Sequence, residues 1–327
     1  MKLLLELSME CESLARAEAL SAARALGKDP LILGEDRGVL IIDTSANPRE
    51  LASRLGLCHF VDEWLGTCGF DDLERTAGSL SVEGPIRVHS TKVGDIHIDL
   101  AGKSRKLGKI IGETRGVNLH EPKSDIRAVF SGKAHVGKVL AAIDRTAFEN
   151  RKNRYMPFVY PASLHPKFAR AMVNLTEVPG GDKLLDPFCG TGAIVAEASL
   201  VGLSAFGTDF SEKMIAGADL NLRYLGLRAR TQVCDVGEIS ERVGHVEGIA
   251  TDPPYGRSTS TKGESIAALY KRAFRAFSDV LDSGDKVVVA VPEIGLVQES
   301  PHFRVLDTHS LWVHRSLTRN FCVMEKV

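Results

Sequence analysis

The 327 residues carry 41 Lys and Arg against 42 Asp and Glu, a formal net charge of −1, with 44% hydrophobic and 25% charged side chains. This is the composition of a soluble globular chain of about two domains, and it excludes wholesale disorder. The six cysteines (Cys11, Cys58, Cys68, Cys189, Cys234, Cys322) form no CxxC pair, which excludes a disulfide framework and a zinc cluster and predicts reduced thiols with no metal.

The charge is unevenly spread. Residues 1–83 carry 8 basic against 15 acidic side chains, residues 84–170 carry 17 against 7, and residues 171–327 carry 16 against 20. A middle third at +10 between two acidic thirds predicts a polyanionic partner, although basic loops alone read almost as readily as a solvated surface. The opening MKLLLELSMECE interrupts its short apolar run at Glu6 and reads as a strand rather than a signal peptide. No run approaches the about 20 apolar residues of a membrane span. A cytoplasmic protein without membrane contact is expected.

In chain order, KLLLELS (2–8) reads as a strand, and Glu12 to Leu26 as an amphipathic helix closed by Gly27. GVLIID (38–43) is a second strand, Pro48 opens a helix through Leu55, and CHFVDEWL (58–65) is a third strand. IRVHSTKV (86–93) alternates like a strand. SRKLGKIIGE (104–113) is helical, with its basic residues on one face and Leu107, Ile110 and Ile111 on another. DIRAVFSG and HVGKVLAAID pair across a turn at Ser131-Gly132-Lys133. The weakly patterned, basic residues 145–161 read as a linker. After Gly180-Gly181 strands and helices alternate: KLLDPF, SAFGTDF, TQVCDV, GIATDPPY, a helix from Glu264 to Leu281, then KVVVAVP. That alternation predicts a parallel sheet covered on both faces.

The chemistry concentrates in two stretches. LLDPFCGTGAIVAEA (184–198) follows a strand and opens a helix, with Gly190 and Gly192 for a tight turn. A nicotinamide fingerprint needs a third glycine where Val195 stands. Asp186 ahead of the glycines repels phosphate and suits a cation, such as the amino group or sulfonium of S-adenosylmethionine. Asp209 ends the next strand and is placed to accept both hydroxyls of a ribose; Asp235 ends the third and is placed for an adenine amino group. Each acid alone reads more readily as a helix cap. The ordered set of three reads as a ligand crevice.

Asp252-Pro253-Pro254-Tyr255 is the sharpest feature. Two prolines fix the chain and remove two donors, leaving the Pro253 carbonyl as a rigid acceptor beside Asp252. An exocyclic amine held by both meets a methyl donor, and Tyr255 offers a face on which a base stacks. Cys189 reads as a small buried thiol, and His165 either as a cofactor contact or as helix-start packing. Trp64 and Trp312 are expected in the core.

Residues 180–256 resemble the Rossmann-type methyltransferases that methylate exocyclic amines. DPFCGTG, DPPYG, PASLHPKFARAMVNL (161–175) and HRSLTRNF (314–321) together resemble the THUMP-domain tRNA guanosine N2-methyltransferases of the archaeal guanosine-10 type. NLHEPKSDIRAVFSG (118–132) fits the THUMP pattern in outline. The resemblance implies an α/β fold, a Rossmann-type S-adenosylmethionine-dependent sheet preceded by an α+β part. Its divisions are a ferredoxin-like module (1–65), a THUMP RNA-binding domain (66–145), a linker (146–162) and the methyltransferase domain (163–327). It implies Asp186, Gly190, Thr191 and Gly192 at the methionine end, Phe188 and Phe210 as walls, Asp209 at the ribose, and Asp235 and Val236 at the adenine. Asp252, Pro253, Pro254 and Tyr255 would take the guanine amine of a tRNA substrate, in a monomer or with a helper protein. Adenine-N6 and glutamine methyltransferases, which use similar Pro-Pro-aromatic tips, stay open as rivals, as does an inactive tRNA-binding subunit.

Overall fold

The computed structural model describes residues 1–161, 163–256, 263–298, 300–315 and 317–327. Two compact units divide the chain. The first holds residues 1–12, 27–53 and 58–143; the second holds 13–26, 54–57 and 144–327. No described helix is long and apolar enough to cross a membrane.

The elements of the N-terminal half run β1 (Lys2–Leu7), α1 (Glu12–Ala25), β2 (Leu31–Asp36), β3 (Val39–Asp43), α2 (Pro48–Arg54), β4 (Cys58–Cys68), α3 (Leu73–Gly78), β5 (Ile86–Lys92), α4 (Leu100–Arg115), β6 (Ser124–Phe130) and β7 (Ala134–Ala142). One seven-stranded sheet in the order β2-β3-β1-β4-β7-β6-β5 unites the first unit. All its pairs are antiparallel except β5 with β6. Strand β4 runs through residue 65, where the sequence placed a domain boundary, so strands from both sides of that point share one sheet.

Helix α4 follows its pattern. Asp99 caps it by accepting from the Gly102 amide at 2.8 Å. Leu107 and Ile111 turn inward, against Ile86, Ile126 and Phe130, while Arg105, Lys106, Lys109 and Arg115 are exposed. Elsewhere in the unit Arg127 is fully buried, ion-paired with Glu6 and Asp62, and its guanidinium lies 3.6 Å from the Phe60 ring centre. The edge strand β2 had no sequence signal: Leu31, Ile32 and Leu33 are all exposed, so no alternation marks it.

The second unit adds α5 (Arg145–Asn150), α6 (Pro166–Leu175), β8 (Lys183–Asp186), α7 (Ala193–Leu200), β9 (Ser204–Asp209), α8 (Glu212–Tyr224), β10 (Arg230–Val233), α9 (Ile239–Arg242), β11 (Gly248–Thr251), α10 (Ile266–Val280), β12 (Lys286–Val291), α11 (Gly295–Gln298), β13 (Phe303–His314) and β14 (Leu317–Lys326). Its sheet has the order β10-β9-β8-β11-β12-β14-β13. The first five strands are parallel, and β14 returns antiparallel to both neighbours. Strand order reverses between β8 and β11, the place where open α/β sheets leave a crevice beyond their carboxyl ends.

The stretch expected as a linker is structured and belongs to this unit. Asp144 caps α5 by accepting from the Ala147 amide at 3.1 Å. Beyond α5, Arg151 reaches the buried Glu197 carboxylate with two bonds of 2.7 and 3.1 Å. Arg170 approaches the same carboxylate at 2.7 Å. The sequence pattern missed this because the segment is anchored by polar side chains rather than by an apolar stripe. Glu18 on α1 is buried likewise, accepting from the Gly56 and Leu57 amides and from Asn174, each at 2.8–2.9 Å. Burial pushes its carboxyl up to about 7.

Glu197→Ala strands two cations, Arg170 being almost wholly buried, and is expected to cost about 3–5 kcal/mol of folding free energy. Glu197→Gln, which keeps one acceptor oxygen for the two arginines, is expected to cost less. Urea unfolding of the two variants beside the parent measures both.

Candidate active site

A cavity of about 840 Å³ opens at the carboxyl ends of β8, β9 and β11. The turn after β8 forms its floor. Gly190 (φ 50°) and Gly192 (φ 85°) adopt the left-handed backbone that favours glycine. At Gly192 a Cβ would also press on the Ala218 Cβ at 3.3 Å. Cys189, just before them, is buried and its thiol is pushed far up by burial, so it stays protonated.

Each strand tip supplies a carboxylate. Asp186 accepts from the Thr251 hydroxyl at 2.7 Å and from the Phe188 amide at 3.2 Å. Both bonds fall on Oδ1, and Thr251 is the last residue of β11, so one hydrogen bond joins the two strands that flank the crevice. Burial pushes the Asp186 carboxyl from 3.8 up to about 7, with the nearby Asp252 and Asp209 adding to the rise. Asp209 accepts from the Gly190 amide at 3.1 Å through Oδ2 and from the Ser211 amide at 2.9 Å through Oδ1. Its carboxyl too is raised by burial.

Asp252 sits beyond the tip of β11. The Tyr255 hydroxyl donates to its Oδ1 at 2.6 Å, and the Arg319 guanidinium lies 3.3 Å from Oδ2. Arg319 also donates from Nε to the Tyr255 hydroxyl at 2.9 Å. Three side chains thus close a ring of polar contacts. Burial raises the Asp252 carboxyl, and Arg319 opposes that rise most strongly.

Of the residues singled out in the sequence, the cavity lining unites Asp186, Phe188, Gly190, Thr191, Asp209, Phe210 and Asp252 through Tyr255. Gly192, Asp235 and Val236 lie outside that lining. Asp235 caps the turn after β10, accepting from the Gly237 amide at 2.9 Å, and pairs with Arg272. His165 caps α6, its Nδ1 accepting from the Lys167 amide at 3.2 Å, and its Nε2 lies 3.3 Å from Glu149; of its two readings, helix-start packing is the one observed. Trp312 departs from its expected core position and is 70% exposed, while Trp64 is partly buried, donating to the Thr67 hydroxyl. Trp312 lies on the edge strand β13, which the sequence reading did not resolve. Ala162 and Ser316, within the two flanking stretches quoted above, fall outside the described residues.

Arg319 was missed, as was the wall formed by Tyr160, Pro161, Ser163 and Leu164. Its signal was present. Arginine at position 319 stands two residues before the apolar run Phe321, Cys322, Val323 and Met324, and a cation buried there needs an anion. The wall is tied down by Asn221 on α8, which accepts from the Phe158 amide at 2.8 Å and donates to the Phe158 and Thr191 carbonyls at 3.0 and 3.1 Å.

Because the folded chain holds the Asp186 proton up to about pH 7 and the unfolded chain releases it near 3.8, stability contributed by this group falls as pH rises between those values. Asp186→Asn is expected to flatten the curve by about 1 kcal/mol per pH unit in that window. Denaturant unfolding from pH 4.5 to 7.5 measures it; Glu18 and Asp62, raised in the same sense, are common to both proteins and cancel in the difference.

The comparisons with known proteins agree with this geometry. The RMKL-like methyltransferase domain family matches residues 153–320. The whole chain is 34% identical to the tRNA (guanine(10)-N2)-dimethyltransferase of Methanothermobacter thermautotrophicus, with 100% of each covered. It is 34% identical to the protein of the same name from Pyrococcus abyssi over 89% of this chain and 91% of that one. The crystal structure of TrmN from Thermus thermophilus aligns over 100% of both chains with a TM-score of 0.55 and 22% identity, a likeness of fold. With a glycine turn and carboxylates at a topological switch point and full-length identity of this order, the chain belongs to the tRNA (guanine(10)-N2)-dimethyltransferase family of S-adenosylmethionine-dependent enzymes.

Proposed function

We propose that this protein methylates the exocyclic N2 amine of guanosine 10 in tRNA. The observation that carries the reading is the placement of Asp186 and the Asp252-Pro253-Pro254-Tyr255 tip on neighbouring parallel strands, facing one cavity. S-adenosylmethionine, when bound, supplies an electrophilic methyl group on a cationic sulfur. The residues fit it: a cavity within the size range of small-molecule sites, carboxylates for a cation and for hydroxyls, and two phenylalanine walls.

In this reading Asp186, Gly190, Thr191 and Gly192 take the methionine end. Among the described residues the bonds to Asp186 fall on Oδ1, and Oδ2 is the oxygen left for the amino group. Phe188 and Phe210 wall the cofactor, and Asp209 accepts the ribose hydroxyls. Asp235 and Val236, outside the cavity lining and with Asp235 paired to Arg272, are given no part in holding the cofactor.

The target guanine leaves its stack to reach the site. Its amine donates to the Asp252 carboxylate and the Pro253 carbonyl. These acceptors gain strength as positive charge grows on the nitrogen, so they favour the transition state over the planar ground state. Asp252 then takes the proton that the methylated amine releases. Tyr255, its hydroxyl tied to Asp252 and Arg319, presents its ring to the base. Arg319 opposes the rise that burial imposes on the Asp252 carboxyl. The exposed cations of α4, within residues 66–145, are assigned to tRNA phosphates in a THUMP-type module.

Asp252→Ala is expected to lower methyl transfer to a tRNA transcript at least 100-fold while the S-adenosylmethionine Kd stays within about twofold. Labelled donor and nucleoside analysis read the product. Near-normal turnover by this variant, or label in adenine of DNA with none in guanine of tRNA, would overturn the assignment. Arg319→Met removes the cation that opposes the burial-driven rise of the Asp252 carboxyl, so the acidic limb of the kcat–pH profile is expected to move up by about one unit or more.

A further inference from the structure

Trp312 is among the largest apolar side chains of the molecule and is 70% exposed, whereas tryptophan is highly buried on average. Its position is specific. It lies near the end of β13, directly opposite Thr318 of β14 in the antiparallel ladder, and the register shifts between Trp312 and His314. Thr318, together with the next residues Val313 and His314, lines the cavity that holds Asp252 and Tyr255. Residues directly opposite in such a ladder project their side chains from the same face, with Cβ atoms roughly 5 Å apart. The indole therefore stands on the rim of the cavity, outside its lining. The exposed Arg315 follows within three residues. A flat aromatic surface beside cations is how proteins hold an unstacked nucleotide.

We infer that Trp312 is a stacking platform for a base of the RNA substrate that flanks the target nucleotide. The inference rests on the proposed RNA methyl transfer and extends it: the site grips the strand on both sides of the wall, Tyr255 within for the reacting base and Trp312 outside for its neighbour. Extruding one nucleotide unstacks the next, and the indole replaces the lost stacking. Trp312 acts in substrate binding and touches neither the methyl donor nor the reacting amine.

The chain has two tryptophans, so a Trp64→Phe background leaves Trp312 as the only indole emitter. Titrating that protein with tRNA transcript is expected to quench its emission saturably as the base stacks. Trp312→Ala is expected to raise the KM for tRNA about tenfold with the S-adenosylmethionine Kd unchanged. Trp312→Phe, which keeps a ring, is expected to recover most of the loss. If the parent methylates tRNA normally while emission is unquenched and Trp312→Ala leaves KM unchanged, the platform is wrong and the activity stands. If the parent fails to methylate tRNA at all, the activity reading falls and the platform with it.

Discussion

Strands β8 and β11 are hydrogen-bonded neighbours, although the chain between them runs out across β9 and β10 before it returns. Crossovers that leave in opposite directions cannot cover the ends of both strands, and the gap between them is the crevice on which every site residue depends. The Thr251–Asp186 hydrogen bond closes the base of that gap at 2.7 Å. It satisfies a fully buried carboxyl and fixes the spacing between the glycine turn on one side and the double proline on the other. Without that spacing, the acids at three strand tips would be unrelated loop residues.

The site holds three acids in a place with little water. Burial alone favours their neutral forms, and the structure counters this to different degrees. Asp186 has a hydroxyl and an amide and remains raised to about 7. Asp209 has two amides. Only Asp252 faces a guanidinium as well as a phenol. Asp252 is thus the acid given a permanent cation, while Asp186 is left without one among the described residues. Net charge over the whole chain conveys none of this, because the basic and acidic thirds cancel in the sum.

How much was legible depended on what holds each part in place. The glycine turn, the double proline and the alternation of strands with helices are local patterns, and the described residues of 183–256 and 263–291 followed them closely. Segments held by polar side chains or lying at sheet edges left no periodic trace. Residues 145–161 read as a linker because their anchors are Arg151 on Glu197 and Asn221 on Phe158, not an apolar stripe. Strand β2 was invisible because its leucines and isoleucine are exposed. The β13–β14 hairpin hid Arg319 and placed Trp312 outside the core, since a tryptophan in an apolar, alternating stretch reads as buried unless the strand is known to lie at an edge. Asp235 shows the converse: its spacing matched the other acids, yet its carboxylate caps a turn and pairs with Arg272.

Asn221 links the wall of the cavity to its floor. One carboxamide holds the Phe158 amide and carbonyl on one side and the Thr191 carbonyl on the other, so it acts as a spacer bar whose length is one side chain. Beneath it, the Phe158 ring lies where a Cβ at Gly217 would intrude, at 2.1 Å, and the segment cannot sink further. The spacing between the Phe158 segment and Thr191 is therefore set by three hydrogen bonds to one side chain. A bulkier residue at Gly217 or a shorter one at Asn221 would shift the Phe158 segment relative to the glycine turn, so this partition is governed from α8 rather than from the residues that line the cavity.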